Sequence, residues 1–231
     1  MDDNFLKRIS IYLDFAKHNP GLFSNNTESV QIVLDPEQIF KAELRSIENN
    51  LKLELPASGS HVGIISQDPW VTVIRDALQF SDGDIRLHTR VMNRINHGVA
   101  VLPIFEQKII LIRHFRHPLR KTILEIPRGA IDENASLEET ARQELLEEIG
   151  GEVGELIPLG FVYGSTNLFA NGSHLYISHL KSLSGLPQLD EGVEAIESVT
   201  IAEFEKMMIE GKIEEAFTIA AFCQARLRGL I

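Results

Sequence analysis

Leu124-Glu125-Ile126-Pro127-Arg128-Gly129, with Ser136-Leu137-Glu138-Glu139 a few residues on and Glu144-Leu145-Leu146-Glu147-Glu148-Ile149-Gly150 after that, decides how this chain is read. Ser136 with Glu139 three positions later is a capping box. Leu137, Ala141, Leu145 and Ile149 make one apolar stripe at helical spacing. Gly150-Gly151 stops the helix. The segment is therefore a strand, a glycine-containing loop and a helix of about three and a half turns. Glu144, Glu147 and Glu148 fall at i, i+3 and i+4, on one arc of about 100°. Like charges at that spacing repel, and the last turn of a helix disfavours anions. Taken without its flanks, such a face is most often merely solvated. With them, three hard oxygen ligands on one arc call for a compensating cation, Mg²⁺ or Mn²⁺.

Outward from this segment the chain alternates strand-like and helical stretches. Strands are expected at 98–105 and 108–115 before it, and near 156–163, 174–180 and 197–201 after it. Helices at 202–210 and 214–230 close the chain. Upstream, 61–65, 70–78 and 85–92 are rich in Val, Ile and Thr, with Ser81-Asp82-Gly83-Asp84 as a turn. Helical spacing covers 4–19, stopped by Pro20-Gly21. A second helix starts at Asp35 as N-cap with Pro36 at its first position, and carries Ile39, Phe40, Leu44, Ile47 and Leu51. Pro56-Ala57-Ser58-Gly59-Ser60 reads as a linker. No internal repeat or low-complexity tract is evident.

Gly129, then Glu144-Leu145-x-Glu147-Glu148-x-Gly150, resembles the Nudix box, the signature of hydrolases acting on nucleoside diphosphates linked to another moiety. Arg113-His114-Phe115-Arg116-His117-Pro118 followed by Leu124-Glu125-Ile126-Pro127 looks like the ADP-ribose pyrophosphatase branch, as does Gly211-Lys212-Ile213 leading to Phe217-Thr218-Ile219-Ala220-Ala221. The resemblance spans roughly residues 61–231. It implies an α/β fold, the Nudix α/β/α sandwich with a mixed sheet. Residues 61–231 would be the Nudix domain, with 61–95 a small β subdomain that in this branch often builds a homodimer. Residues 1–60 would be a helical extension. The implied activity is metal-dependent hydrolysis of a diphosphate in ADP-ribose or a nucleotide sugar, giving a nucleoside monophosphate and a sugar phosphate.

Carried over residue by residue, the resemblance makes Glu144 and Glu148 the principal metal ligands. Glu147 would be a further ligand or would orient water, and the Arg128 carbonyl would face a metal. Mg²⁺ or Mn²⁺ would neutralise the diphosphate and acidify a water. The general base would come from the acidic loop after Gly185 and Pro187, with Glu194 first and Glu191 second. Arg116 would contact a substrate phosphate through its guanidinium fork. Trp70 would stack on a base, against the plainer reading of a half-buried strand residue. Departures from the family pattern are Ala135 where a Glu is usual, Gln143 where an Arg is usual, and Asn167 and Asn171 where relatives commonly carry a Gly and an acidic residue. The missing Glu–Arg pair and the two asparagines favour a second reading, a weakly catalytic Nudix domain serving as a sensor of nucleotide derivatives or an interaction module. The intact glutamate set favours the enzyme.

Bulk properties agree with a small-molecule enzyme. The 231 residues carry 22 basic and 33 acidic side chains, a net charge of −11. That argues against a nucleic-acid or membrane surface. No apolar run reaches the roughly 20 residues of a membrane span. The acidic start Met1-Asp2-Asp3-Asn4 lacks a basic n-region and an apolar h-region, so a cytoplasmic location is expected. A single cysteine, Cys223, excludes an internal disulfide framework. Placed with Ala216, Ala220 and Leu227 on one helix stripe, it is expected to be buried and inert.

Overall fold

In the computed structural model, which describes residues 1–231 apart from 96, 132, 133 and 187, the chain divides between Arg94 and Ile95. One unit is Met1–Arg94 with Asn167–Ala170, the other Ile95–Thr166 with Asn171–Ile231. The expected boundary at 60/61 is thus displaced: the strands of 61–94 belong with the helices of 1–60.

The reason is visible in the first unit's pairing. Its helices are α1 (Asp3–His18), with Asp2 as N-cap, and α2 (Pro36–Lys52), with Asp35 as N-cap. Its strands are β1 (Val30–Val33), β2 (Gly63–Gln67), β3 (Val71–Phe80) and β4 (Ile85–Asn93). β4 lies antiparallel along one edge of β3, while β2 and β1 share the other edge. β1, which the sequence pattern did not announce, stitches the helical part into the sheet. Phe5, Ile9, Tyr12 and Ile39 from the helices pack with Val62, Ile74, Ala77 and Met92. Ala57–Ser60 is a 3₁₀ turn and not a free linker. The buried Ser60 hydroxyl lies 2.7 Å from that of Ser46 and accepts from Asn50 Nδ2 at 2.9 Å. On α2 the buried residues are Ile39, Ala42 and Glu43, whereas Leu44 and Leu51 face solvent.

Two ion centres sit in this core. Arg8 grips Glu43 with two hydrogen bonds of 2.8 Å, and Glu43 accepts from the Val62 amide at 2.7 Å. Tyr12 donates to Asp76 at 2.6 Å, and Arg90 Nε lies 2.7 Å from the other Asp76 oxygen. Burial, with Asp76 beside it, raises the Tyr12 phenol far above its ordinary range.

The second unit is a seven-stranded mixed sheet. Its strands are β5 (His97–Phe105), β6 (Lys108–Arg116), β7 (Lys121–Glu125), β8 (Arg128–Ala130), β9 (Gly151–Tyr163), β10 (Gly172–Leu183) and β11 (Val193–Thr200). The order is β11-β6-β5-β10-β9, with β7 on β6 and β8 on β5; β5 and β10 run parallel. The run Ile109–Ile112 is fully buried at every residue, which a strand achieves only with both faces covered. Ile110 and Ile112 pack with Ala141, Leu145 and Ile149 of α3 (Leu137–Ile149). Ile109 and Leu111 pack with Phe204 of α4 (Ile201–Ile209) and Phe217 and Phe222 of α5 (Ala216–Leu227). The architecture is the expected α/β/α sandwich. On α5 the large rings of Phe217 and Phe222 take the sheet-facing side, so Cys223 and Leu227 turn to solvent. The expected burial of Cys223 is therefore wrong. No helix among the described residues is long and apolar enough to cross a membrane.

Because β1, α1 and α2 cover one face and half an edge of the first sheet, deleting residues 1–59 should leave Ile74, Ala77 and Met92 uncovered. The expected outcome is a chain that aggregates and binds a hydrophobic dye, checked by sedimentation and dye fluorescence. A truncated protein that stays monodisperse with native near-ultraviolet circular dichroism would show that the first unit needs neither helix.

Candidate active site

Four anchors fix residues 126–129, just after β7. The Ile126 amide donates to Thr218 Oγ1 at 3.0 Å. That hydroxyl donates in turn to Glu215, the N-cap of α5, at 2.8 Å. The Pro127 carbonyl accepts from Val101 at 3.0 Å. The Arg128 amide donates to Glu148 Oε2 at 3.0 Å. Gly129 sits against the Glu144 carboxylate so closely that a Cβ at 129 would overlap Glu144 Oε1. A side chain there would push the Glu144 carboxylate out of this position; the glycine serves close approach, not its backbone angles.

α3 delivers the acids. Its capping box is formed, with the Glu139 amide donating to Ser136 Oγ at 3.2 Å and the Ser136 amide to Glu139 at 2.8 Å. Gly150 closes it in the left-handed conformation, φ 63°. Leu145 and Ile149 are buried against the sheet, which turns Glu148 inward and leaves Glu147 outside. Burial, and then the charge of Glu144, push the Glu148 carboxyl up to about 8. Two crowded carboxylates of this kind, beside a backbone cradle, are the donor chemistry a hard divalent cation relieves. Among the described residues no three His, Cys, Asp or Glu side chains converge tightly enough to hold an ion by themselves. A cation here would also draw on a backbone oxygen such as that of Arg128, or on water.

A cavity of about 550 Å³ opens beside the cradle, lined by Arg128, Gly129, Glu144, Glu147 and Glu191 and also by Ala135 and Gln143. Of the two candidate bases, Glu191 ends a 3₁₀ turn (Leu189–Glu191) and lines this cavity. Glu194 lies on β11 and accepts from Thr122 at 2.9 Å. Pro187, expected to flank the acidic loop, lies outside the described residues. Gln143 donates its amide to Glu147 one turn on, so the position where an Arg is usual still holds a cavity acid. Trp70 lies in the first unit, in the bend before β3, 73% exposed. The half-buried strand position is not what it occupies.

Glu125 was not anticipated as part of the site. It is fully buried, and Arg116 grips it through Nε and Nη2. His114 Nδ1 lies 3.1 Å from Oε1 and Arg128 Nη2 3.6 Å from Oε2. The Arg116 fork, expected to meet a phosphate, is thus committed to this carboxylate. Burial alone would raise the Glu125 carboxyl, but His114, then Arg128 and Arg116, outweigh it and hold it below its ordinary range. Two guanidiniums against one carboxylate leave net positive charge beside the acidic α3 face.

A family comparison matches the NUDIX domain over residues 95–218, the unit that contains this cradle. The chain belongs to the Nudix family and is a Nudix hydrolase. It is 33% identical over 135 residues to an ADP-ribose pyrophosphatase of Bacillus subtilis (strain 168), covering 57% of this chain and 72% of that protein. It is 34% identical over 129 residues to a methanol dehydrogenase activator of Bacillus methanolicus, covering 54% and 69%. A solved structure titled as an ADP compounds hydrolase has the same fold, with a TM-score of 0.60 and 24% identity over 72% of this chain and 91% of that one.

Replacing Glu125 with Gln should destabilise the protein by about 2–3 kcal/mol, less than for a fully buried pair, because it leaves two partly exposed guanidiniums without their counter-charge. The sign with pH follows from the depressed carboxyl. Its contribution is present above the ordinary value of 4.5 and is lost as pH falls through the lower folded value. Urea unfolding of both proteins should show a constant gap from roughly pH 6 to 8 that narrows in acid. Equal stabilities at neutral pH would remove Glu125 from the account.

Proposed function

We propose that this chain hydrolyses the diphosphate of an ADP-ribose-like or nucleotide-sugar substrate, water attacking one phosphorus to release a nucleoside monophosphate and a sugar phosphate. The reading is carried by the Gly129 cradle against Glu144, with Glu148 buried beside it under the Arg128 amide. Glu144 and Glu148, with the Arg128 carbonyl and Glu147 at the cavity edge, would hold Mg²⁺ or Mn²⁺. When bound, the ion supplies charge neutralisation at the diphosphate and acidification of a water. Glu191, which lines the cavity, would take the proton, ahead of Glu194, which accepts from Thr122. Arg128 lines the cavity, and with Arg116 it provides the positive charge that draws the anionic substrate in. A homodimer through the first unit and a cytoplasmic setting complete the proposal.

A second reading, a weakly catalytic domain acting as a sensor or interaction module, is favoured by Ala135 and Gln143 in the cavity wall and by the likeness to a protein titled as an activator. One panel separates the two. Phosphatase-coupled phosphate release from ADP-ribose and several ADP-sugars, with Mg²⁺, Mn²⁺ or chelator, should show metal-dependent turnover. Glu148→Gln should lower kcat by at least about 100-fold while leaving the fold intact by circular dichroism. Tight binding of these compounds without turnover would favour the sensor.

A further inference from the structure

Four rings meet at one end of the second unit's sheet, none of them a residue already assigned to the site. Phe161 on β9 lies 4.8 Å from His174 on β10, 5.0 Å from His97 on β5 and 4.9 Å from Tyr163, centroid to centroid, and the two histidines are 6.0 Å apart. The strand registers bring them together: Phe161 pairs directly with His174, and Tyr163 with Gly172. Gly172 makes room, since a Cβ there would overlap the Phe161 ring. The cluster is not sealed. Tyr163 is 58% exposed, His97 is exposed, and Phe161 and His174 are half-buried. Burial, with His97 beside it, lowers the His174 imidazole from its ordinary value.

The cluster shares a face with the cradle. Val99 and Val101, two and four residues beyond His97, pack under α3. Side chains alternate along a strand, so His97 is on that side too. Gly129 pairs with Val99 and turns its missing Cβ to Glu144 of the same helix. The Ile131 amide then reaches the His97 carbonyl at 3.4 Å. Adjacent strands are about 4.8 Å apart, which puts β10 about 10 Å from β8. One ribose separates a nucleobase from its diphosphate on that scale.

We propose that His97, Phe161, Tyr163 and His174 form the platform on which the nucleobase of the substrate stacks while its diphosphate lies at the Gly129 cradle. The proposal rests on the hydrolase reading for the position of the diphosphate, and it assigns the base to rings of the second unit instead of Trp70. Stacking on aromatic faces is tolerant of base identity. Selectivity would then lie in having a base at all more than in which base it is.

The test uses the full chain, with AMP and ribose 5-phosphate as probes. Imidazole proton signals of His97 and His174, assigned with His97→Gln and His174→Gln, should shift on titration with AMP and stay in place with ribose 5-phosphate. Tyr163→Ala, at an exposed position, should weaken AMP binding by about tenfold, while Tyr163→Phe should keep it. With ADP-ribose the KM of Tyr163→Ala should rise and kcat should move far less. AMP binding that leaves both histidine signals unmoved, or affinity untouched in Tyr163→Ala, would overturn the platform and leave the hydrolase reading standing. Absence of turnover in the wild type would count against the hydrolase reading alone, since the AMP titration reads the rings directly.

Discussion

The absence of a side chain at residue 129 is the constraint from which the site follows. The Glu144 carboxylate occupies the space a Cβ would need, a close approach that any side chain at 129 would displace. The approach in turn sets Glu148 under the Arg128 amide, and both acids end up within one short stretch of backbone. Thr218 and Val101 hold the same loop from opposite sides, so the loop is tied to α5 and to the sheet as well as to the helix. A 126–129 segment with that many fixed points has little freedom left to lose when a ligand binds, and preorganisation of this kind favours tight, specific sites.

Charge is handled in two opposite ways in one unit. On α3 burial, and then the charge of Glu144, act against the Glu148 carboxylate and push it up to about 8. Next to it, Glu125 is buried with three basic side chains around it. The first arrangement is one that a divalent cation would relieve. The second is satisfied within the fold by Arg116, Arg128 and His114. Functional sites commonly hold such unresolved electrostatics while the surrounding structure compensates.

The helix of the site was legible because several local signals coincide there: the Ser136–Glu139 box, the Leu145–Ile149 stripe and the Gly150 stop. The α/β/α layering was expected from the resemblance to the Nudix box, and the run at 109–112, buried at every residue, is its mark in the structure. Glu125 was not, because a lone Glu at the end of an apolar strand gives no sign that its partners lie nine and eleven residues upstream and three downstream. β1 escaped notice since four residues with one polar side chain carry little periodicity. Pro-Ala-Ser-Gly-Ser has the composition of a linker, and only the buried Ser60 hydroxyl shows that it is part of a core. On α5 two stripes of small and apolar residues compete, and the larger rings of Phe217 and Phe222 decide which one meets the sheet.

That decision at α5 leaves a practical handle. Cys223 is the sole cysteine in the chain and its side chain is open to solvent, on a helix packed against the sheet face opposite α3. A nitroxide or fluorophore can therefore be attached at one defined position without engineering any residue away. Each copy of the chain then carries a single label, so pairwise dipolar measurements report an intermolecular distance with no intramolecular background, and the number of copies in an assembly can be counted from the labels alone.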